Sequence, residues 1–165
     1  MAHLLSTSIF FAWATLVAAG DIRLRLVRNS LVVVGLVAAL ASALVNANPF
    51  GISAEQALIG MLVGFVGFFP FFAFRVMGAA DVKVFAVLGA WCGLSVLQWL
   101  WVVASLAAGV HVVVLMMLTH TPVGALWSHR SPTLALGTRR ATPYAACLVA
   151  PAAIWLTYLV VTGGV

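Results

Sequence analysis

Apolar runs recur along the whole chain, and short polar stretches separate them. The runs cover Leu4–Ala19, Leu31–Val45, Ala54–Phe74, Val84–Leu118 and Pro143–Val161. A membrane-spanning helix needs roughly 17 to 25 such residues, and the first run reaches this length when it continues to Gly20 or Asp21. The fourth run would be roughly 50 Å long as one helix, too long for one crossing of a ~30 Å hydrocarbon core. We therefore divide it near Gly93-Leu94-Ser95, into a short helix and a helix from about Leu97. The pattern predicts six transmembrane helices.

Small and polar residues refine this division. Asn46-Ala-Asn-Pro-Phe-Gly51 has the composition of a loop, and Ser53 with Gln56 fits a capping box at the start of the third helix. Gly60, Gly64 and Gly67 recur on one face of that helix, and Gly89 with Gly93 forms a second face of small residues. Such faces allow close helix contact in lipid.

Composition agrees with a membrane protein. Hydrophobic residues make up 65% of the chain and charged residues 7%, against roughly 25% charged residues in soluble domains. We interpret residues 1–165 as a single polytopic membrane domain of the all-α class. The N-terminus lacks a basic stretch, so we expect no cleaved secretory signal.

The basic residues predict the orientation. Numbering the loops between helices in order, all eight Lys and Arg residues fall in loops 1, 3 and 5, and the formal charge is +5. Cytoplasmic loops are enriched in Lys and Arg, so these three loops should face the cytoplasm and both termini should lie outside. The basic residues are Arg23, Arg25, Arg28, Arg75, Lys83, Arg130, Arg139 and Arg140.

Asp21 and Asp81 are the chain's two aspartates, and this orientation places them at one membrane face. A carboxylate in an apolar chain is costly, which makes each a functional candidate. Two neighbouring carboxyls that share a proton can act as acid and base to activate water. Alternatively, each aspartate only neutralises a neighbouring base, Arg23 for Asp21 and Lys83 or Arg75 for Asp81. The C-terminal end of a helix disfavours a carboxylate, and the N-terminal end favours one. Asp21 follows a helix and Asp81 precedes one, so we expect the shared proton on Asp21.

Three stretches resemble the type IV prepilin peptidases, membrane aspartic proteases with a GxGD motif. Gly78-Ala-Ala-Asp81-Val-Lys83 resembles that motif, and Asp21 to Asn29 resembles the family's other aspartate motif. Arg140-Ala-Thr-Pro-Tyr144 is similar to the start of the family's last helix. The resemblance implies catalytic Asp21 and Asp81. Supporting or substrate-binding roles would fall to Gly78, Ala79, Ala80, Lys83 and Asn29.

Two positions depart from the family pattern: Ala80 replaces a usual glycine, and Arg28 replaces a common proline. Larger members carry a cytoplasmic insertion with paired cysteines and also methylate the pilin. The interval from Gly20 to Leu31 has no such insertion, so the chain resembles the small form that acts on Flp/Tad-type pilins.

The resemblance implies a prepilin leader peptidase in the bacterial cytoplasmic membrane, with several membrane passes. It would need no cofactor or metal and would not bind nucleic acid; its partners would be the prepilin and membrane lipids. An inactive homologue acting in pilus assembly and a proton or ion transporter are the alternatives. The four histidines lack metal-ligand spacing, and Cys92 and Cys147 suit packing.

Overall fold

The computed structural model describes residues 1–24, 26–75, 77–119 and 144–163. This part of the chain is entirely helical apart from turns and loops. Its helices are α1 (Ala2–Leu24), α2 (Asn29–Leu44), α3 (Ala54–Ala73), α4 (Ala79–Thr119) and α5 (Tyr144–Thr162). The expected cytoplasmic loop Thr119–Thr142 falls on residues outside the described ranges except for Thr119.

Helix α4 is divided at Gly93, as the sequence predicts. Gly93 has φ 71° and ψ 176°, a left-handed conformation that glycine adopts without steric cost. The ring of Phe68 lies 4.0 Å from Phe85, before the bend, and 5.9 Å from Trp101, after it. These two residues would be roughly 24 Å apart in a straight helix. The two limbs of α4 therefore fold back on each other.

The boundaries of α2, α3 and α5 agree closely with the predicted segments, and the capping box between Ser53 and Gln56 is present. Two boundaries differ. The stretch Arg75–Lys83, predicted as a loop, is helical from Ala79 onward. Helix α1 continues to Leu24 and encloses Asp21 in its last turn. A hydropathy pattern ends a helix where polar residues begin. The backbone can remain helical through such residues, so both helices are longer than predicted.

The contact between α3 and the first limb of α4 depends on glycine. A side-chain carbon at Gly60 would overlap the carbonyl group of Gly89, and one at Gly89 would overlap that of Gly60. Gly64 is also buried against α4. The prediction is wrong for Gly67, because such a carbon would have no neighbour within 4 Å among the residues that the structure describes. Phe68 fills the space between the helices at that level by packing on Phe85.

The core lies around both limbs of α4, which packs against α2, α3 and α5. Phe10 of α1 contacts Trp91 edge to face at 5.4 Å, and both are fully buried. Trp13 donates a hydrogen bond to the carbonyl of Leu31, and its indole occupies the space that a side chain at position 35 would take. Gly35 thus lets α1 and α2 lie close together.

The outer faces of the helices are apolar. Large hydrophobic side chains stand exposed along every helix, for example Leu16, Val37, Leu62, Trp99 and Ile154. Four of the helices, all except α2, are long and apolar enough to cross a membrane. An apolar exterior of this extent is the surface expected next to lipid, and the chain is a multi-pass membrane protein.

Candidate active site

Asp21 lies in the last turn of α1 and is 9% exposed. One carboxylate oxygen, Oδ2, accepts a 2.8 Å hydrogen bond from the main-chain N–H of Ala146 in the first turn of α5. The N-terminal N–H groups of a helix have no partner within the helix, so a carboxylate there is well placed. This hydrogen bond joins the last turn of α1 to the first turn of α5.

Asp81 lies in the first turn of α4 and is half-buried. Its carboxyl group lies beside the backbone of Gly78, the residue before the helix. A side-chain carbon at Gly78 would lie 3.1 Å from Oδ2 of Asp81. The absence of a side chain at position 78 therefore leaves room for this carboxyl group.

The structure brings the two aspartates together at one end of the helix bundle. The two residues belong to different helices, and they lie close enough for the charge of Asp21 to influence the Asp81 carboxyl group. The Asp21 carboxylate accepts a hydrogen bond from the main chain of Ala146, and the Asp81 carboxyl group lies beside the main chain of Gly78.

Lys83 and Asn29 meet at the same end. Nζ of Lys83 donates a 2.9 Å hydrogen bond to Oδ1 of Asn29. Asn29 is the first residue of α2, and Lys83 lies two positions after Asp81. The bond therefore links the start of α2 to the turn of α4 that carries Asp81.

The two remaining predicted residues differ in their surroundings. Ala79 is exposed at the first position of α4, whereas Ala80 is half-buried and packs against the hydrophobic core. The methyl group that distinguishes Ala80 from the usual glycine thus has protein neighbours beside Asp81.

Sequence reasoning missed the contribution of α5. Its first turn supplies the Ala146 N–H to Asp21, and the half-buried Tyr144 lies within the electrostatic reach of Asp81. Cys147, interpreted as a packing residue, lies within the electrostatic reach of both carboxyl groups. Cys92 is fully buried in the core, as predicted. The only sequence signal for this turn was the resemblance of Arg140–Tyr144 to the start of the family's last helix. That resemblance assigned no role to the residues of the turn.

Comparison with known proteins decides the family. A sequence model of the type IV leader peptidase family matches residues 8–125. The chain belongs to the type IV leader peptidase family. Neither a curated protein nor a solved structure gives a significant match.

Membership in the type IV leader peptidase family supports a protease activity and implies a prepilin substrate. The matched segment contains both aspartates and the Lys83–Asn29 hydrogen bond, and it ends before α5. Tyr144 and Ala146 lie outside the matched range, so their relation to the aspartates comes from the structure alone.

Proposed function

We propose that this protein is a membrane aspartic endopeptidase that removes the basic leader peptide of Flp-like type IV prepilins. The observation that carries the proposal is that Asp21 and Asp81 lie within electrostatic reach of each other. These two carboxyl groups come from separate helices, at one end of the bundle, and interact electrostatically. Cleavage would take place at the cytoplasmic face of the bacterial inner membrane.

The chemistry follows from two carboxyl groups that share one proton. The ionised carboxylate accepts a proton from water as the water oxygen attacks the scissile carbonyl carbon. The protonated carboxyl group then donates its proton to the leaving nitrogen as the carbon–nitrogen bond breaks. One water is consumed, one acid and one amine are released, and the dyad again holds one proton. These steps involve no cofactor.

The supporting residues act on the position of Asp81. Gly78 leaves space for its carboxyl group, and Ala80 packs beside it against the core. The hydrogen bond from Lys83 to Asn29 holds the first turn of α4 near the start of α2. Ala79 is exposed at this turn, where a substrate peptide could pass.

The proposed orientation has six transmembrane helices in one domain, residues 1–165. The two limbs of α4 supply the fourth and fifth crossings, and the basic loops 1, 3 and 5 face the cytoplasm. This places the aspartates on the side where a prepilin leader is found before export. Anionic lipid headgroups would hold the basic leader near this face.

Cleavage of a purified prepilin from the same genome in detergent tests the proposal. The wild-type protein should shorten the substrate by the mass of its leader. Asp21→Asn and Asp81→Asn should each abolish this cleavage while the protein remains inserted and folded. Glu55→Gln is the matched control, because Glu55 is the only other acidic residue and lies exposed at the start of α3.

The outcomes separate the proposal from its alternatives. A folded Asp21→Asn or Asp81→Asn variant with near-normal cleavage would exclude the dyad. A wild-type protein that cleaves no prepilin would favour an inactive homologue that acts in pilus assembly. Proton flux in liposomes that depends on the aspartates would instead favour a transporter.

A further inference from the structure

Tyr144 and Ser105 form a hydroxyl pair beside the aspartates. The phenol oxygen of Tyr144 lies 3.3 Å from Oγ of Ser105, a distance at which either hydroxyl can be the donor. Tyr144 is the first residue of α5, and Ser105 belongs to the second limb of α4. Asp81 and Ser105 are equally far from Gly93 along the chain. Because the limbs fold back at Gly93, Ser105 lies at a similar depth to Asp81.

The same turn of α5 contacts Asp21 and lies within electrostatic reach of Asp81. Ala146, two residues after Tyr144, donates its N–H to Asp21, and the charge of Asp81 acts on the Tyr144 hydroxyl. Tyr144 is half-buried, so part of its ring remains accessible. The first turn of α5 therefore combines a bond to one aspartate with a hydroxyl group near the other.

Peptide hydrolysis is faster when a hydrogen-bond donor outside the dyad also faces the scissile carbonyl oxygen. As water attacks the carbonyl carbon, negative charge develops on the carbonyl oxygen, and a fixed hydrogen-bond donor lowers the barrier. Either proton of the dyad can help at the carbonyl oxygen, and a neutral donor that keeps its own proton would add to this stabilisation. The Lys83 ammonium group donates one of its three hydrogens to Asn29, which holds its nitrogen at the start of α2. A phenol whose oxygen accepts from Ser105 keeps its own hydrogen free for the substrate.

We propose that Tyr144 is a further catalytic residue, whose hydroxyl donates a hydrogen bond to the carbonyl oxygen of the scissile peptide bond. Ser105 is the positioning residue that orients this hydroxyl. Tyr144 keeps its proton throughout, so the water, acid and amine balance of the dyad is unchanged. The proposal rests on the leader peptidase function proposed above.

The test compares the two tyrosines of the chain in the prepilin cleavage assay. Tyr144→Phe should lower kcat roughly 10²-fold and leave KM within about twofold, because the lost bond strengthens only in the transition state. Tyr158→Phe is the control, since Tyr158 is exposed on α5 and stacks on Trp155. It should cleave at the wild-type rate.

Two further variants separate catalysis from folding. Ser105→Ala should lower kcat less than Tyr144→Phe does, and Ser105→Thr, which restores a hydroxyl, should recover the rate. Replacing Tyr144 with 3,5-difluorotyrosine preserves the ring and lowers the pKa of its phenol. The alkaline limb of the pH–rate profile should then shift to lower pH, because a phenolate has no hydrogen to donate. A structural role alone would not produce that shift.

Several results would overturn the inference. Equal kcat for the wild type and Tyr144→Phe would exclude the donor role while leaving the dyad intact. A raised KM with unchanged kcat would assign Tyr144 to substrate binding alone. If Tyr144→Phe failed to fold, an unshifted profile in the fluorinated protein would still exclude the donor. A wild-type protein without cleavage would contradict the proposed function itself, and the inference with it.

Discussion

Asp21 and Ala146, separated by 125 positions in the sequence, are joined by a buried 2.8 Å hydrogen bond from the main-chain N–H to the carboxylate. This bond fixes the end of α1 against the start of α5. It also means that Asp21 has a structural role that is separable from its proposed chemical one. Substitutions at position 21 can therefore be designed to distinguish the two.

Asp21→Ala should destabilise the protein more than Asp21→Asn. Alanine leaves the Ala146 N–H buried without a partner, which costs about 1–3 kcal/mol, whereas asparagine retains an acceptor oxygen. Thermal unfolding in detergent should therefore rank the wild type first, Asp21→Asn second and Asp21→Ala last. Both variants should be inactive. Equal stability of the two variants would contradict a stabilising role for this bond.

Gly60→Ala and Gly89→Ala should each destabilise the contact between α3 and α4. The added methyl group meets main-chain atoms of the opposite helix, which cannot rotate away as a side chain can. Overpacking of this kind typically costs about 1–3 kcal/mol. Gly67→Ala is the matched control on α3, because its methyl group would enter open space. Thermal unfolding that is unchanged in Gly60→Ala would show that the helices separate at little cost.

Much of the fold follows from the sequence, because hydropathy and glycine act locally. Apolar length located the helices, and the limit set by membrane thickness located the bend at Gly93. The capping box at Ser53 was visible because it depends on two side chains. Gly67 shows where the pattern is insufficient. It shares a helix face with Gly60, but whether it meets α4 depends on how the two helices diverge, which a sequence period does not contain.

Gly78→Ala should lower cleavage roughly tenfold with little change in stability. The new methyl group would lie 3.1 Å from Oδ2 of Asp81, so this carboxyl group must shift by a few tenths of an ångström. Small displacements of a catalytic group can cost up to about 10²-fold in rate. Gly109→Ala is the control for a general effect of alanine, because its added carbon has no neighbour within 4 Å in the described part of the chain. Unchanged kcat in Gly78→Ala would show that the carboxyl group has room to move.

Ala80 should show a graded response to side-chain volume. Its methyl group packs against the core beside Asp81, so Ala80→Gly should preserve or raise cleavage. Ala80→Val should depress cleavage sharply, because two more methyl groups would have to be accommodated at this half-buried position. Rates measured for the three residues at equal enzyme concentration provide the comparison. Equal rates for Gly, Ala and Val would mean that position 80 contacts neither catalyst nor substrate.

The acidic residues of the site could be predicted from the sequence, but its hydrogen-bond donors on α5 could not. Asp21 and Asp81 were conspicuous because acidic residues are rare in this chain. The Ala146 donor is a main-chain N–H, which any residue at that position except proline would supply, so the sequence carries no mark of it. Tyr144 stands at a boundary between polar and apolar residues, where tyrosine is ordinary in membrane proteins. Its relation to Asp81 depends on the packing of α5 against α1 and α4.

A double-mutant cycle on Lys83 and Asn29 tests whether their hydrogen bond contributes to the site. Lys83→Met and Asn29→Ala each remove one partner of the 2.9 Å bond, and each should lower cleavage. The double variant should be little worse than either single variant, since the bond can be lost only once. The expected coupling energy in kcat/KM is about 0.5–1.5 kcal/mol, the usual net value of one hydrogen bond.

Asn29→Asp is a conservative variant to compare with Asn29→Ala. An aspartate keeps an acceptor oxygen and adds a charge that complements Lys83. This variant should retain most of the wild-type rate, whereas Asn29→Ala should not. Arg75→Met is the control for loss of a basic residue at the same end of the bundle. Arg75 is exposed, and its substitution should leave kcat unchanged. If the effects of the two single substitutions on kcat/KM simply added in the double variant, Lys83 and Asn29 would act independently. Lys83 would then contribute through its charge and not through the link between α2 and α4.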